Sequence, residues 1–180
     1  MLLEEAIYLI RNDVISGSDI QIWADLGCGS GTFTAALANL LPDNSIIYAV
    51  DKSKYPMKNI SVNNKITIEK INADFIIDDL PKELDGILMA NSLHYVEDKD
   101  SFIKKIEKNF NSEPLFLIVE YDMDNSNPWV PFPLSFNSLK QFFTNAGYTS
   151  VRKLNEHISI YQRANIYSAL IEKDNNVVFL

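Results

Sequence analysis

Short apolar runs alternate with stretches of helical periodicity along most of this 180-residue chain, and that alternation constrains its fold more than any other feature. The runs are Ile20 to Leu26, Ser45 to Val50, Lys65 to Ile71, Asp85 to Ala90 and Pro114 to Glu120, each short and rich in Ile, Val or Leu, as buried strands are. Between them lie helix-like stretches over Thr32 to Leu41, from near Pro56, and over Ser101 to Phe110, where Phe102, Ile103, Ile106 and Phe110 share one face. A leading helix is expected from the spacing of Leu2, Leu3, Ala6, Ile7, Ile10 and Val14, with Glu4 and Glu5 in its first turn, where the helix dipole favours acids. Strands that alternate with helices imply right-handed crossovers and a parallel sheet covered on both faces.

The last third changes character. Pro128, Pro131 and Pro133 forbid a helix in "DMDNSNPWVPFPLSF", and a helical piece then runs from about Ser138 to Asn145 and closes at Gly147. Tyr148 to Leu154 and Asn165 to Glu172 read as two final strands, and the brevity of "NEHISIYQRA" between them favours an antiparallel pair. The turn "DNN" leads into "VVFL", a candidate edge strand. With 47% hydrophobic and 22% charged residues, the chain has enough core for one domain spanning residues 1–180.

The first run leads into "ADLGCGSGTF", with glycines at 27, 29 and 31. In open sheets of this kind ligands bind beyond the carboxyl ends of the strands, where this first turn lies. Glycine there opens backbone angles closed to other residues, and the helix start behind it offers N–H groups to a carboxylate or phosphate. A dinucleotide loop wants glycine at its first, third and sixth positions, and the sixth here is Thr32. Asp25, two residues before Gly27, would repel a pyrophosphate but attract the ammonium of an amino-acid moiety. Its alternative role is to cap backbone groups in the turn.

A formal charge of −8 opposes any partner held by phosphate neutralisation, so nucleic acid is not expected. The lone cysteine, Cys28, excludes an intramolecular disulfide; early acids replace the basic start of a secretory signal, and no apolar stretch is long enough to span a bilayer. These features predict a cytoplasmic protein with no membrane association and a small-molecule or protein partner; no metal is expected.

"ADLGCGSGTF" resembles the first motif of the class I S-adenosylmethionine-dependent methyltransferases, and later segments continue the likeness in order. "IIYAVD" ends in Asp51, 20 residues after Gly31, where the family places an acid on the ribose hydroxyls; Lys52 adjoins it. "INADF" sets Asp74 and Phe75 where the family contacts adenine, and "DGILMANSLHYV" resembles the strand and loop that face the transferred methyl group. The resemblance runs from about Trp23 to Glu120 and more loosely to Glu172. It implies a Rossmann-like, doubly wound α/β fold: a mostly parallel seven-stranded sheet with an antiparallel C-terminal strand and helices on both faces. It further implies S-adenosyl-L-methionine as cofactor, held by Asp25, Gly27, Cys28, Gly29, Gly31, Asp51, Lys52, Asp74, Phe75 and Asn91. Asp51 reads alternatively as a helix cap, Asp74 as a turn residue, Phe75 as core, and Cys28 as a small structural residue between glycines.

Methyl transfer from a sulfonium needs position and desolvation, and sometimes a base. His94 in "NSLHYVED", Glu120 and Tyr121 at the end of the fifth run, and His157 in the late loop are the candidate bases, with Asn91 a hydrogen-bonding partner for substrate or cofactor. His94 has orientation of the loop as its alternative role. "ANSLHY" stands where methyltransferases of nucleic-acid bases and glutamine carry Asn-Pro-Pro-aromatic, which disfavours that substrate class. About 19 residues precede the first strand, too few for a large N-terminal cap, so a lid is expected from Trp129 in "NPWVPFPLSF" and from Tyr161 and Arg163 in "HISIYQRANIY". A homodimer is plausible for so short a chain. The alternatives to a small-molecule methyltransferase are an NAD(P)-dependent oxidoreductase and a non-catalytic cofactor-binding module.

Overall fold

The computed structural model describes residues 1–53, 65–158 and 164–173. The helical piece expected from Pro56, the "VVFL" strand, Tyr161 and Arg163 lie outside these residues.

Seven strands form one sheet: β1 (Ile22–Leu26), β2 (Ile46–Asp51), β3 (Thr67–Asn72), β4 (Gly86–Ala90), β5 (Leu115–Tyr121), β6 (Ser150–Ile158) and β7 (Asn165–Glu172). Their spatial order is β3-β2-β1-β4-β5-β7-β6. The first five are parallel, and β7 runs antiparallel to both β5 and β6. The fold class expected from the alternation and the resemblance is therefore the one observed.

Helices α1 (Leu3–Ile10) and α2 (Thr32–Ala38) pack on one face of the sheet; α3 (Lys99–Ile106) and α4 (Phe136–Asn145) pack on the other. The strand residues divide between these layers by alternation. On β5, Phe116 and Ile118 join Phe102, Ile106 and Phe143 in one core, while Leu117 and Val119 join Leu9 and Leu37 in the other. Being buried on both faces is what makes β5 a continuous apolar run in sequence.

Helix ends follow local chemistry. α1 stops at Ile10 rather than running on to Val14, because the Asn12 side chain accepts the N–H groups of Val14 and Ile15 at 3.0 and 3.1 Å and forms a turn in competition with the helix. α4 ends as expected at Gly147, whose φ of 89° lets its N–H reach Thr144 O and that of Tyr148 reach Phe143 O. β6 is longer than expected, so His157 sits on a strand paired with Ile166 and not in a loop. Among the described residues no helix is long and apolar enough to cross a membrane.

Candidate active site

The strand order reverses between β1 and β4, and the tips of these two strands are locked together. Ser92, just beyond β4, is buried and donates from Oγ to the Leu26 carbonyl at 2.6 Å. Gly27 follows Leu26 with φ of 79°, and a Cβ there would lie 2.6 Å from that of Ser92. On the other side, the Gly27 and Cys28 N–H groups both donate to Val50 O of β2, at 2.8 and 3.1 Å. Only glycine fits a turn pressed between two neighbouring strands in this conformation.

Asp51, at the tip of β2, secures the turn from outside. Its Oδ2 accepts the Gly29 N–H at 2.8 Å and its Oδ1 the Ser53 N–H at 2.7 Å. Asp51 also lines a small cleft of about 80 Å³ with Cys28, Gly29, Lys70 and Asn72. Lys52 reaches across to Asp74 at 3.0 Å. Burial pushes the Asp74 carboxyl up, but Lys52 and the Ile76 N–H outweigh it and hold the group below its ordinary value. Phe75 is buried, packs edge-on against Phe102 and stands close behind Gly27.

A larger cleft of about 300 Å³ opens over the glycine turn. It is lined by Gly27 to Ser30 of the turn, by Asn91 and Tyr121 beyond β4 and at the end of β5, and by Glu5, His157 and Ile158 of α1 and β6. Asn91 has φ of 54°, a left-handed conformation that asparagine tolerates better than most residues, and its N–H donates to Val119 O at 2.7 Å. Its Oδ1 is buried with no hydrogen-bond partner among the described residues.

Asp25 lies beneath the turn, 1% exposed. Thr34 Oγ1 donates to its Oδ2 at 2.6 Å, joining β1 to α2 through side chains rather than capping the turn's backbone. Its Oδ1 has no partner among the described residues, and burial raises the carboxyl to about 7. The Cys28 thiol is pushed up to about 12 by burial and by Asp25 and Asp51, so it stays protonated and lacks thiolate character.

His94 and Glu120, both singled out in the sequence, meet in the interior at 3% and 2% exposure. His94 Nδ1 is 2.7 Å from Glu120 Oε2, and the His94 backbone N–H donates to Oε1 at 3.1 Å. Neither residue lines the cleft. The proline-rich loop is fastened to the same region, with the Phe132 N–H on His94 O and Lys99 Nζ on Phe132 O. Trp129 is 77% exposed on that loop and does not line the cleft either. Residues of α1 and the end of β6 line the cleft instead. Glu5 was legible only as an acid in a first helical turn.

The 1,6-didemethyltoxoflavin-N1-methyltransferase of Burkholderia thailandensis, solved with 1,6-didemethyltoxoflavin and S-adenosylhomocysteine, shares this fold with a TM-score of 0.68 at 14% identity, over 96% of this chain and 78% of that one. A SAM-dependent methyltransferase from Aquifex aeolicus matches at 15% identity with a TM-score of 0.61, over 97% of this chain and 100% of its own. The magnesium protoporphyrin IX methyltransferase of Synechocystis, solved with bound SAM, matches at 11% identity and 0.61, over 96% and 78%. At these identities the likeness is one of fold. No curated protein sequence matches the chain. A family model described as a methyltransferase domain matches residues 24–112, from within β1 through the glycine turn to shortly before β5.

Residues 24–112 thus carry a methyltransferase domain, on the fold shared by S-adenosylmethionine-dependent methyltransferases. Its cofactor is S-adenosyl-L-methionine, and the oxidoreductase alternative falls with that assignment. The residues of this methyltransferase fit such a cofactor, because Asn91 Oδ1, a buried acceptor atom without a donor among the described residues, belongs to a residue lining the cleft with the glycine turn and suits a ligand that carries an ammonium and a sulfonium; Asp25, beneath the turn, lines neither cleft.

Proposed function

We propose that this methyltransferase acts on a small-molecule acceptor that shares the 300 Å³ cleft with the cofactor, the cofactor lying on the glycine turn and the acceptor beside it. The observation that carries this reading is that Glu5 of α1 and His157 and Ile158 of β6 line one cleft together with the glycine turn, so that the chain's own residues offer a small ligand a place next to that turn. The Burkholderia neighbour, which holds 1,6-didemethyltoxoflavin on the same fold, supports it, and the charge of −8 argues against a nucleic-acid acceptor.

In this reading Gly27, Cys28, Gly29 and Gly31 take the amino-acid end of the cofactor, with Asp25 beneath them and Asn91 beside them. Asp51 takes the ribose, and Lys52, Asp74 and Phe75 border the adenine. Bound there, the cofactor supplies a methyl group on a sulfonium, whose carbon–sulfur bond breaks toward sulfur as an acceptor lone pair bonds to the carbon. The chain's contribution is to orient both ligands and exclude water. His94 and Glu120 serve as a positioning pair that fixes the loop after β4 and hence Asn91.

The test uses methyl-labelled S-adenosylmethionine and a cell extract separated into low-mass and macromolecular fractions. Label entering a low-mass product supports the reading. Label entering only macromolecules, or nothing, overturns it.

A further inference from the structure

Glu5 and His157 are 152 positions apart in sequence, yet Glu5 Oε1 lies 3.3 Å from His157 Nε2, and both line the cleft that the glycine turn also lines. Glu5 is fixed by its other oxygen, which accepts the Leu2 N–H at 2.6 Å. That N–H, with His157 after it, holds the Glu5 carboxyl below its ordinary value, so it meets the imidazole as an anion. The platform is held by hydrogen bonds between its elements. The Asn155 side chain donates to Tyr8 O and Leu9 O at 2.8 and 3.3 Å, and Ser168 Oγ donates to Leu9 O at 2.5 Å, pinning the end of α1 to β6 and β7. The other residues with ionisable side chains that line the cleft are Cys28 and Tyr121, and Met1 lines it too. Cys28 is protonated, as shown above.

We propose that Glu5 and His157 form the proton-accepting pair of the acceptor site, and that the acceptor therefore presents a hydroxyl or amine whose proton must leave. This rests on the small-molecule reading above. His157 is the catalytic residue and Glu5 the positioning residue. With Nε2–H directed at the carboxylate, the neutral imidazole keeps its lone pair on Nδ1. The acceptor O–H or N–H bond breaks toward the acceptor, its proton goes to Nδ1, and the electron pair left on the acceptor makes the new bond to carbon. The imidazolium then returns the proton to water. His94, the other histidine of the chain, has its Nδ1 engaged by Glu120 and does not line the cleft, so it is less suited to this step.

The experiment compares wild type with His157→Gln and Glu5→Gln, the latter retaining an acceptor for the Leu2 N–H. The probe is methyl-labelled S-adenosylmethionine with the low-mass extract fraction, assayed across pH. The expected result is a loss of labelling by about 100-fold or more in His157→Gln, with S-adenosylhomocysteine affinity within about twofold of wild type. The rising limb of the pH profile disappears in that variant. In Glu5→Gln, nitrogen NMR shows His157 losing its preference for the Nε2–H tautomer. If His157→Gln misfolds, modification of wild-type His157 by diethyl pyrocarbonate replaces it, with labelling lost and then restored by hydroxylamine. Unchanged labelling after loss of the imidazole, or an unchanged tautomer in Glu5→Gln, overturns the pair and leaves the small-molecule reading standing. Wild type that labels no low-mass product overturns both.

Discussion

Asp51 Oδ2 accepts the Gly29 N–H at 2.8 Å, so the acid at the tip of β2 holds the glycine turn in place. Replacing it with asparagine removes the charge from a hydrogen bond of a kind worth about 1.5–3 kcal/mol. Asp51→Asn should weaken S-adenosylhomocysteine binding by about 10-fold or more in calorimetry. Unaltered affinity would show that the turn does not depend on this carboxylate.

Gly27 faces both a steric and a conformational barrier to substitution. Its φ of 79° and the 2.6 Å approach to Ser92 Cβ make Gly27→Ala costly, by about 2 kcal/mol or more in urea unfolding, with cofactor affinity lost alongside. Gly29 has φ of 51° but no atom within 4 Å of a Cβ, so Gly29→Ala should cost only the backbone term of about 1 kcal/mol. Equal losses at the two positions would contradict the packing of the turn against Ser92.

Asp25 makes stability depend on pH in an unusual direction. Its folded value of about 7 stands above the ordinary 3.8, so between those values the folded state holds a proton that the unfolded state has released. Unfolding free energy should fall as pH rises through that window, by up to about 1.4 kcal/mol per pH unit. Asp25→Asn should flatten the trend. A wild-type stability that rises over the same range would contradict the buried, donor-poor site described for this carboxyl.

Gly86 of β4 lies opposite Trp23 of β1, and a Cβ on it would meet the indole at 2.5 Å. Gly86→Ala therefore overpacks the sheet centre and should lower stability by about 1–3 kcal/mol. The expected readout is a lower urea midpoint with S-adenosylhomocysteine affinity nearly unchanged.

The strands were legible because runs such as "LFLIVE" are buried on both faces and carry no competing periodicity. Helix ends were less so. The side chain of Asn12 ended α1 through a turn that apolar spacing does not register, and β6 continued through "NEHI" because pairing with β7 overrode its polar composition. The glycine turn and Asp51 stood out, since φ above zero and a strand-tip acid leave marks in one short stretch. The lining of the cleft by α1 and β6 left no such mark. Glu5 satisfies the helix dipole and His157 reads as a loop residue, and only the packing of α1 against β6 brings them together. His94 and Glu120 were each visible, but their mutual burial depends on the parallel register of β4 and β5.

The most direct measurement is the molar balance of the reaction. Wild-type protein, methyl-labelled S-adenosylmethionine and the low-mass extract fraction should yield S-adenosylhomocysteine in equal amount to label in a low-mass product, with both lost in Gly27→Ala. S-adenosylhomocysteine formation that does not depend on the low-mass fraction, or label found only in macromolecules, would contradict the account.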